Sequence, residues 1–140
     1  MKSILIDSDI LIDILIERTE FLKDSKAILD LCEKKKIKGY ITPVILSNTY
    51  YIINKKYKRE KIVPIFLKLL NFIEIASIDK MIILKALNSN FKDFEDALQN
   101  YAAEYSKKID IIITRNTKDY KNSNLAVLTP ETYLKTLIIL

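Results

Sequence analysis

The chain has 140 residues, 49% of them apolar and 29% charged, and carries a formal net charge of +5. This length, without Pro-, Ser- or Gly-rich tracts, excludes a disordered protein and predicts one globular domain over residues 1–140. No secretory signal opens the sequence, and no run approaches the roughly 20 apolar residues needed to span a bilayer. We therefore expect a cytoplasmic protein without membrane contact.

The residue types exclude several kinds of catalytic site. The sequence contains no histidine, which removes the usual serine and cysteine triads, imidazole-bound zinc and histidine general bases. A single glycine, Gly39, cannot build a phosphate loop or a dinucleotide-binding turn. Cys32 stands alone and is expected to be a half-buried thiol rather than part of a disulfide or zinc site. Carboxylates remain, and they become strong catalysts mainly when they hold a hard metal ion.

The first predicted element is a strand over Ser3–Ile6, because a short apolar run ends there at Asp7. A helix follows, since apolar residues recur at helical spacing from Asp9 onward. Its apolar positions are Ile10, Leu11, Ile14 and Leu15, and its polar face carries Asp9, Asp13 and Glu17. A second helix is predicted over residues 24–35, ending in lysines that suit the helix dipole.

Gly39 introduces a short strand at residues 40–41, and Thr42-Pro43 then predicts the start of a helix that ends near Asn54. A helix over residues 61–70 precedes a strand over residues 72–76. Asp79 is expected to cap a helix that ends at Leu87, and Asp93 to cap the clearest amphipathic helix of the chain. The apolar face of that helix is predicted to be Phe94, Ala97, Leu98, Tyr101, Ala102 and Tyr105.

Residues 111–113 and 126–128 are predicted strands, and Thr129-Pro130 begins a helix that runs to the C-terminus. The predicted order is β-α-α-β-α-α-β-α-α-β-β-α. Strands that alternate with helices indicate an α/β fold, a three-layer α/β/α sandwich. Its central sheet should be mostly parallel, with four to five strands and helices on both faces.

Carboxylates cluster where such a sheet places its ligand sites, beyond the carboxyl ends of the strands. Asp7 ends the first strand, and Asp119 lies in the loop that follows residues 111–113. Asp96 lies in the first turn of its helix, whereas Asp93 is interpreted as the helix cap. Asp7 has no evident helix dipole to satisfy, so its desolvation cost favours a partner or a metal.

Three segments, residues 4–11, 94–99 and 113–120, resemble the PIN-domain family, and in particular its VapC-like ribonucleases. The similarity covers essentially the whole chain and includes the closing segment Leu128-Thr129-Pro130-Glu131. The resemblance implies a PIN-like fold and a Mg²⁺- or Mn²⁺-dependent ribonuclease. It assigns Asp7, Asp96 and Asp119 as metal or catalytic carboxylates.

The resemblance also implies residues that orient ligands or contact substrate, namely Ser8, Asn48, Thr114, Arg115 and Asn116. Three positions depart from the family pattern. Asn48 stands where the family has an acid in the third helix, no acid stands at Asn116, and Asp9 replaces the commoner asparagine. An amide adds no negative charge, so Asn48 should weaken the affinity for a divalent ion and puts full activity in question.

The implied partners are RNA and an antitoxin protein, as in the toxin half of a bacterial toxin–antitoxin pair. Lysines in residues 34–38 and 55–61 suit a phosphodiester, although such runs are also common solvated faces. Tyr57 could stack on a base, whereas Tyr50 or Tyr51 fits a core position. The apolar tail Leu134, Leu137, Ile138, Ile139 and Leu140 could serve a homodimer.

Two alternatives stay open at this point. One is a degenerate PIN domain that binds RNA or a protein partner without cleavage, and Asn48 is the feature that supports it. The other is a phosphohydrolase of the haloacid-dehalogenase type, which Asp7-Ser8-Asp9 after the first strand also resembles. That family needs a glycine-rich turn and a downstream catalytic lysine, for which the sequence offers no clear position.

Overall fold

A computed structural model describes residues 2–138. The strands are β1 (Ser3–Ile6), β2 (Lys38–Ile41), β3 (Ile73–Ile75), β4 (Ile111–Ile113) and β5 (Ala126–Leu128). The helices are α1 (Ser8–Leu15), α2 (Thr19–Glu33), α3 (Pro43–Ile53), α4 (Arg59–Leu69), α5 (Lys80–Leu87), α6 (Phe94–Ser106) and α7 (Pro130–Ile138), and a 3₁₀ turn spans Thr117–Tyr120. The predicted order of strands and helices is confirmed.

All neighbouring strands pair in parallel, and the sheet order is β3-β2-β1-β4-β5. The connections move outward from β1 to β3 and then return across the sheet to β4, and this change of direction places helices on both faces. The predicted three-layer α/β/α class is therefore confirmed, with five strands. β1 lies at the centre and is buried along its whole length, because both of its faces are covered by helices.

Helix α2 begins at Thr19 rather than at residue 24 and ends at Glu33, so the lysines follow it. Its first turn is stabilised by a contact that the local sequence does not encode, since the Phe21 ring lies 4.0 Å from the Arg115 guanidinium carbon.

Strand β2 begins at Lys38, which places Gly39 inside the strand rather than before it. A Cβ atom on Gly39 would lie 2.7 Å from the Cys32 Sγ atom, so only glycine lets α2 pack this closely on the sheet. Cys32 is therefore fully buried rather than half-buried, and burial raises its pKa to about 12. Cys32 is therefore an unreactive thiol in the hydrophobic core.

The buried face of α6 differs from the predicted one. Phe94 and Tyr105 are exposed, whereas the polar residues Gln99 and Asn100 are buried. Hydrogen bonds offset part of the cost of that burial, since Gln99 Oε1 accepts one from the Thr42 hydroxyl and Asn100 Nδ2 donates one to Glu104 Oε2 at 2.7 Å. The Asn100 Oδ1 atom is buried with no partner among residues 2–138.

The other predictions of buried apolar residues are likewise confirmed at some positions and wrong at others. Tyr50 packs against Phe66, with ring centroids 5.9 Å apart, whereas Tyr51 is 66% exposed and is not a core residue. Leu134 and Leu137 pack partly against the core, and the end of the predicted apolar tail, residues 139–140, lies outside the described residues. Between residues 2 and 138, no helix has the length and apolar character that a bilayer crossing requires.

Candidate active site

The carboxyl ends of β1 and β4 meet at the centre of the sheet. Ile6 pairs with Ile113, and the Asp7 backbone N–H donates to the Ile113 carbonyl at 3.0 Å. Because the strands are parallel and in this register, the residues that follow them, Asp7 and Thr114, lie side by side. Thr114 is fully buried, and its hydroxyl donates to Asp7 Oδ2 at 3.0 Å.

Asp7 is only 9% exposed and accepts hydrogen bonds on both carboxylate oxygens. Oδ1 accepts from the Ser8 backbone N–H at 2.8 Å, and Oδ2 accepts from the Tyr120 hydroxyl at 3.1 Å as well as from Thr114. Asp7 is also the N-cap of α1, so the expectation that it has no helix dipole to satisfy is wrong. Even with these donors, burial raises the pKa of Asp7, and the negative charge of Asp119 raises it further.

Helical spacing placed Asp9 on the polar face of α1. In the structure, however, this part of the helix is not solvated. Its Oδ2 atom accepts from the Arg115 backbone N–H at 3.0 Å and from the Thr114 hydroxyl at 3.3 Å. Its Oδ1 atom is buried and has no hydrogen-bond partner among residues 2–138. Burial, together with the charge of Asp7, raises the pKa of Asp9 to about 6. A buried carboxylate oxygen without a donor is available to a cation.

A cleft of about 350 Å³ opens between the start of α6 and the 3₁₀ turn after β4. It is lined by Phe91, Lys92, Asp93, Asp96, Lys118, Asp119, Lys121 and Asn122. Asp93 caps α6, as predicted, because its Oδ1 atom accepts from the Asp96 backbone N–H at 3.0 Å. The carboxyl groups of Asp96 and Asp119 therefore line the cleft, whereas Asp93 serves as the N-cap of α6.

The carboxylates of Asp7, Asp96 and Asp119 act on one another electrostatically. Burial raises the pKa of Asp96 to about 7, and the charges of Asp93, Asp7 and Asp119 contribute to that rise. As they stand, however, no three carboxylates or cysteines among the described residues are close enough to share one metal ion.

Comparisons with known proteins identify the family. The family model for the PIN domain matches residues 3–118. The chain belongs to the PIN-domain family. The match is to this family rather than to the haloacid-dehalogenase phosphohydrolases, the alternative that Asp7-Ser8-Asp9 left open.

Individual relatives span nearly the whole chain. Ribonuclease VapC1 of Aquifex aeolicus is 27% identical over 137 residues, which cover 94% of this chain and 93% of that protein. A toxin–antitoxin complex from Klebsiella pneumoniae contains a chain with 26% identity and a TM-score of 0.66, covering 90% of this chain and 96% of that one. VapBC2 of Rickettsia felis, solved with a fragment of promoter DNA, shares the fold at 16% identity, with a TM-score of 0.64 and coverages of 90% and 96%.

Asn48, the residue that the sequence comparison with the family pattern singled out in the third helix, is half-buried in α3. Its Nδ2 atom donates to Glu95 Oε2 at 2.6 Å. Glu95 lies in the first turn of α6, next to Asp96. The amide at position 48 is therefore paired with an acid from another helix.

The other residues that were predicted to orient ligands or contact substrate lie in the loop after β4 of this PIN domain. The Asn116 backbone N–H donates to Thr114 Oγ1 at 3.1 Å, and its side chain donates to Asp9 Oδ2 at 3.4 Å. The Arg115 guanidinium contacts Asp13, which is fully buried, through bonds of 2.7 and 3.1 Å. Helical spacing placed Asp13 on the polar face of α1, yet Asp13 is buried, and Arg115 compensates its charge.

Sequence patterns did not indicate that Asp13 or Tyr120 supports the site. Tyr120 contacts Asp7 across 113 positions of the chain. Its ring is 1% exposed, and burial with the nearby charges of Asp7 and Asp96 raises its pKa. No local signal marks such a contact, because it depends on where the tertiary structure places the 3₁₀ turn relative to Asp7.

The lysines that surround the PIN cleft are not those of the two basic runs. Lys92, Lys118 and Lys121 line the cleft. The run at residues 34–38 precedes or begins β2, where Lys38 pairs with Ser3 at the amino end of β1. Because the strands are parallel, that run lies at the edge of the sheet opposite the cleft.

Proposed function

We propose that this chain is a metal-dependent ribonuclease of PIN type and the toxin of a toxin–antitoxin pair. The observation that carries the proposal is the buried Asp7 at the carboxyl end of the central strand, coupled electrostatically to Asp96 and Asp119 beside a cleft lined by lysines. The resemblance over nearly the full length to a protein named Ribonuclease VapC1 supports the same activity.

The residues at the site fit a hard divalent cation such as Mg²⁺ or Mn²⁺. Their donors are carboxylate oxygens, which such ions prefer, and Asp9 Oδ1 is buried with no partner among residues 2–138. We assign Asp7, Asp96 and Asp119 to hold the ion. A bound cation would offset their mutual repulsion and, in this chemistry, activates water and stabilises charge on the phosphoryl group.

The surrounding residues position these carboxylates and the substrate. Thr114 and Tyr120 hold Asp7 in one orientation, and Ser8 donates its backbone N–H to the same group. Asn48 and Asn116 are assigned to orienting ligands or RNA. The lysines of the cleft are assigned to the phosphate backbone, whose neutralisation supplies much of the affinity for nucleic acid.

Arg115 is assigned a different role from the substrate contact that the resemblance implies. Both of its bonding nitrogens face the Asp13 carboxylate, and its plane lies over Phe21. This geometry supports a role in holding the loop after β4 rather than in binding RNA.

The proposal includes an antitoxin partner, a cytoplasmic location and self-association of a single PIN-like domain. The antitoxin is supported by the Klebsiella pneumoniae complex, whose chain is 26% identical to this one. Self-association is measured by sedimentation equilibrium. The partner is tested by co-expression with the protein encoded by the adjacent gene and co-purification of the two chains.

The activity is tested by cleavage of labelled single-stranded RNA. Wild-type protein should cleave with Mg²⁺ or Mn²⁺ and stop in excess chelator, while Asp7→Asn and Asp119→Asn should be inactive with either ion. Equal cleavage in chelator, or by Asp7→Asn, would refute the proposal.

A degenerate PIN domain that binds RNA or a partner without cleavage is the second candidate, because Asn48 stands at the position of an acid. RNA binding without cleavage at any Mn²⁺ concentration would favour it.

A further inference from the structure

An aromatic side chain forms part of the wall of the cleft. Phe91 lines the cleft together with Lys92, Lys118 and Lys121, and its side chain is only partly buried against the core. A ring in such a wall can offer its remaining surface to a ligand. The cleft volume of about 350 Å³ lies within the range of ligand pockets, about 300–1,000 Å³.

The Phe91 ring is held in a fixed orientation. Its centroid lies 5.8 Å from that of Tyr101 and 6.2 Å from that of Tyr120, and both interplanar angles are 73°. These are edge-to-face contacts, so neither tyrosine ring is stacked parallel to Phe91. The loop that carries Phe91 is tied across the cleft as well, because the Asn90 carbonyl accepts a hydrogen bond from Asn122 Nδ2 at 3.2 Å.

Phe91 also lies close to the central carboxylate. The Tyr120 ring packs beside Phe91, and the Tyr120 hydroxyl donates to Asp7 Oδ2 at 3.1 Å. One side chain therefore separates Phe91 from Asp7. The three lysines of the cleft are exposed and form no salt bridge with any residue between 2 and 138, so they are available to phosphate groups. A nucleotide in this cleft can thus meet an aromatic ring, cationic side chains and carboxylates together.

Two other aromatic residues offer no such surface in the cleft. The sequence suggested Tyr57 for base stacking, but Tyr57 does not line the cleft, and the Lys61 Nζ atom lies 4.2 Å from the centroid of its ring. Phe94 is exposed on α6 and does not line the cleft either. Among the described residues, Phe91 is therefore the one aromatic side chain in the cleft wall.

We infer that Phe91 is the residue on which the cleft stacks an unpaired base of its RNA substrate. Aromatic side chains commonly hold the bases of single-stranded nucleic acid in this way. In a duplex, neighbouring bases cover both faces of each base, so Phe91 selects unpaired nucleotides, whereas the lysines bind phosphates of any sequence. The inference rests on the proposed function, in which RNA is the substrate, and does not require a bound metal ion.

Tryptophan fluorescence provides a direct test, because the chain contains no tryptophan. Phe91→Trp places a single indole ring at the proposed stacking position. Phe94→Trp is the matched control, since Phe94 is an exposed phenylalanine only three positions away that does not line the cleft. Two probes of equal length and charge are titrated in chelator, so that the proposed metal-dependent cleavage does not interfere. One probe is a short oligoadenylate RNA, and the other is the same ribose-phosphate chain without bases.

Oligoadenylate should quench the emission of Phe91→Trp and leave that of Phe94→Trp unchanged, because a stacked base contacts the indole ring. In fluorescence anisotropy titrations, the wild type should bind oligoadenylate about fivefold or more tightly than the base-free chain, the effect expected of one stacked base. Phe91→Leu should lose most of this preference and keep the wild-type affinity for the base-free chain. Phe91→Tyr should retain the preference, and Phe94→Leu should behave as the wild type does.

A purely structural role for Phe91 gives different results. If Phe91 only packs against Tyr101 and Tyr120, Phe91→Leu disturbs the cleft wall and weakens the binding of both probes by the same factor, or of neither. The emission of Phe91→Trp then does not respond to oligoadenylate. Either result overturns the inference. If Phe91→Leu does not fold, Phe91→Trp and Phe91→Tyr still decide the question, because both retain an aromatic ring at this position.

The failure of this inference differs from the failure of the proposed function. If the wild type binds both probes with equal, salt-dependent affinity, the cleft binds the RNA backbone and only the stacking role of Phe91 is wrong. If the wild type binds neither probe, RNA is not its substrate, and the inference falls with the proposed function. Base-dependent binding that Phe91→Leu removes, without cleavage when Mn²⁺ is added, supports the inference and favours the PIN domain that binds RNA without cleaving it.

Discussion

The Arg115 guanidinium donates two hydrogen bonds to the buried Asp13 carboxylate, at 2.7 and 3.1 Å. The Arg115 backbone N–H donates to Asp9 Oδ2 at 3.0 Å. One residue thus ties the loop after β4 to α1 at two points. The residues that follow in this loop lead directly to Asp119 and Tyr120, so this tie helps to position Asp119 at the cleft and Tyr120 beside Asp7.

Removing one partner of this buried pair should destabilise the fold. Arg115→Met is expected to lower the free energy of unfolding by on the order of 3 kcal/mol, because the Asp13 charge remains buried without its main partner. The double variant Asp13→Leu/Arg115→Met should recover most of that stability, because it removes both charges and leaves no buried charge without a partner. Urea denaturation of the three proteins measures both effects.

The same variants test whether Arg115 contacts RNA. The double variant should retain wild-type affinity for single-stranded RNA, because the guanidinium is directed at Asp13. An RNA affinity that falls with every Arg115 substitution, including the well-folded double variant, would restore the substrate-binding role that the family resemblance implies.

Tyr120→Phe should reduce both stability and cleavage. The Tyr120 hydroxyl donates to the buried Asp7 carboxylate, and a hydrogen bond to a charged group contributes about 1.5–3 kcal/mol. Tyr133→Phe is the matched control, because the Tyr133 hydroxyl is buried with no partner among residues 2–138. Chemical denaturation and initial cleavage rates should show a decrease for Tyr120→Phe only. Equal behaviour of the two variants would mean that Tyr120 does not hold Asp7.

Metal-free stability should fall as the pH rises from about 4 to above 7. The pKa values of Asp9 and Asp96 rise from 3.8 to about 6 and about 7 in the folded state, so between these limits the folded protein holds protons that the unfolded chain has released. Fewer protons on the unfolded chain give a negative slope of unfolding free energy with pH.

The melting temperature in chelator, measured at pH 5 and pH 8, checks this slope. Asp96→Asn should lose less stability than the wild type between these pH values, since its side chain stays neutral. Mn²⁺ should stabilise the wild type most at pH 8, where the carboxylates are ionised. If Asp96→Asn leaves the slope of stability against pH unchanged, other titratable groups cause the pH dependence.

Lysines beside the cleft should account for the salt dependence of RNA binding. Lys118→Ala/Lys121→Ala is expected to reduce the slope of log affinity against log salt by about 0.7 for each phosphate that the protein no longer neutralises. Lys34→Ala/Lys36→Ala is the charge-matched control at the opposite edge of the sheet. Fluorescence anisotropy at several salt concentrations provides the slopes. Equal effects of the two pairs would show that RNA is attracted by net charge alone.

Asn48→Glu should have two opposite effects. Without metal, the new carboxylate lies at the position from which Asn48 now donates to Glu95, so repulsion should lower the melting temperature in chelator. With Mn²⁺, the added charge should lower the concentration needed for half-maximal RNA cleavage, because hard cations gain affinity with each carboxylate. Asn48→Gln controls for side-chain length. A cleavage curve that Asn48→Glu does not move would show that residue 48 does not face the metal.

Local sequence determined the order of the elements and several of their ends. Thr42, Asp79 and Asp93 cap the helices that their positions predicted, and Pro43 occupies the start of α3. These features depend on hydrogen bonds within one helical turn, so neighbouring residues suffice to predict them. Asp7 and Asp119 were predicted to approach one another, because parallel strands end at a common edge of the sheet.

Only the tertiary structure decided which polar residues are buried and what they contact. Asp13 fits a solvated helical face by periodicity, yet it is fully buried because Arg115 arrives from a loop 102 positions away. Asn48 has no evident partner in the sequence, and the fold places Glu95 of α6 beside it. In each case the partner is distant in sequence, and a charge is stable in the interior only when the fold supplies that partner.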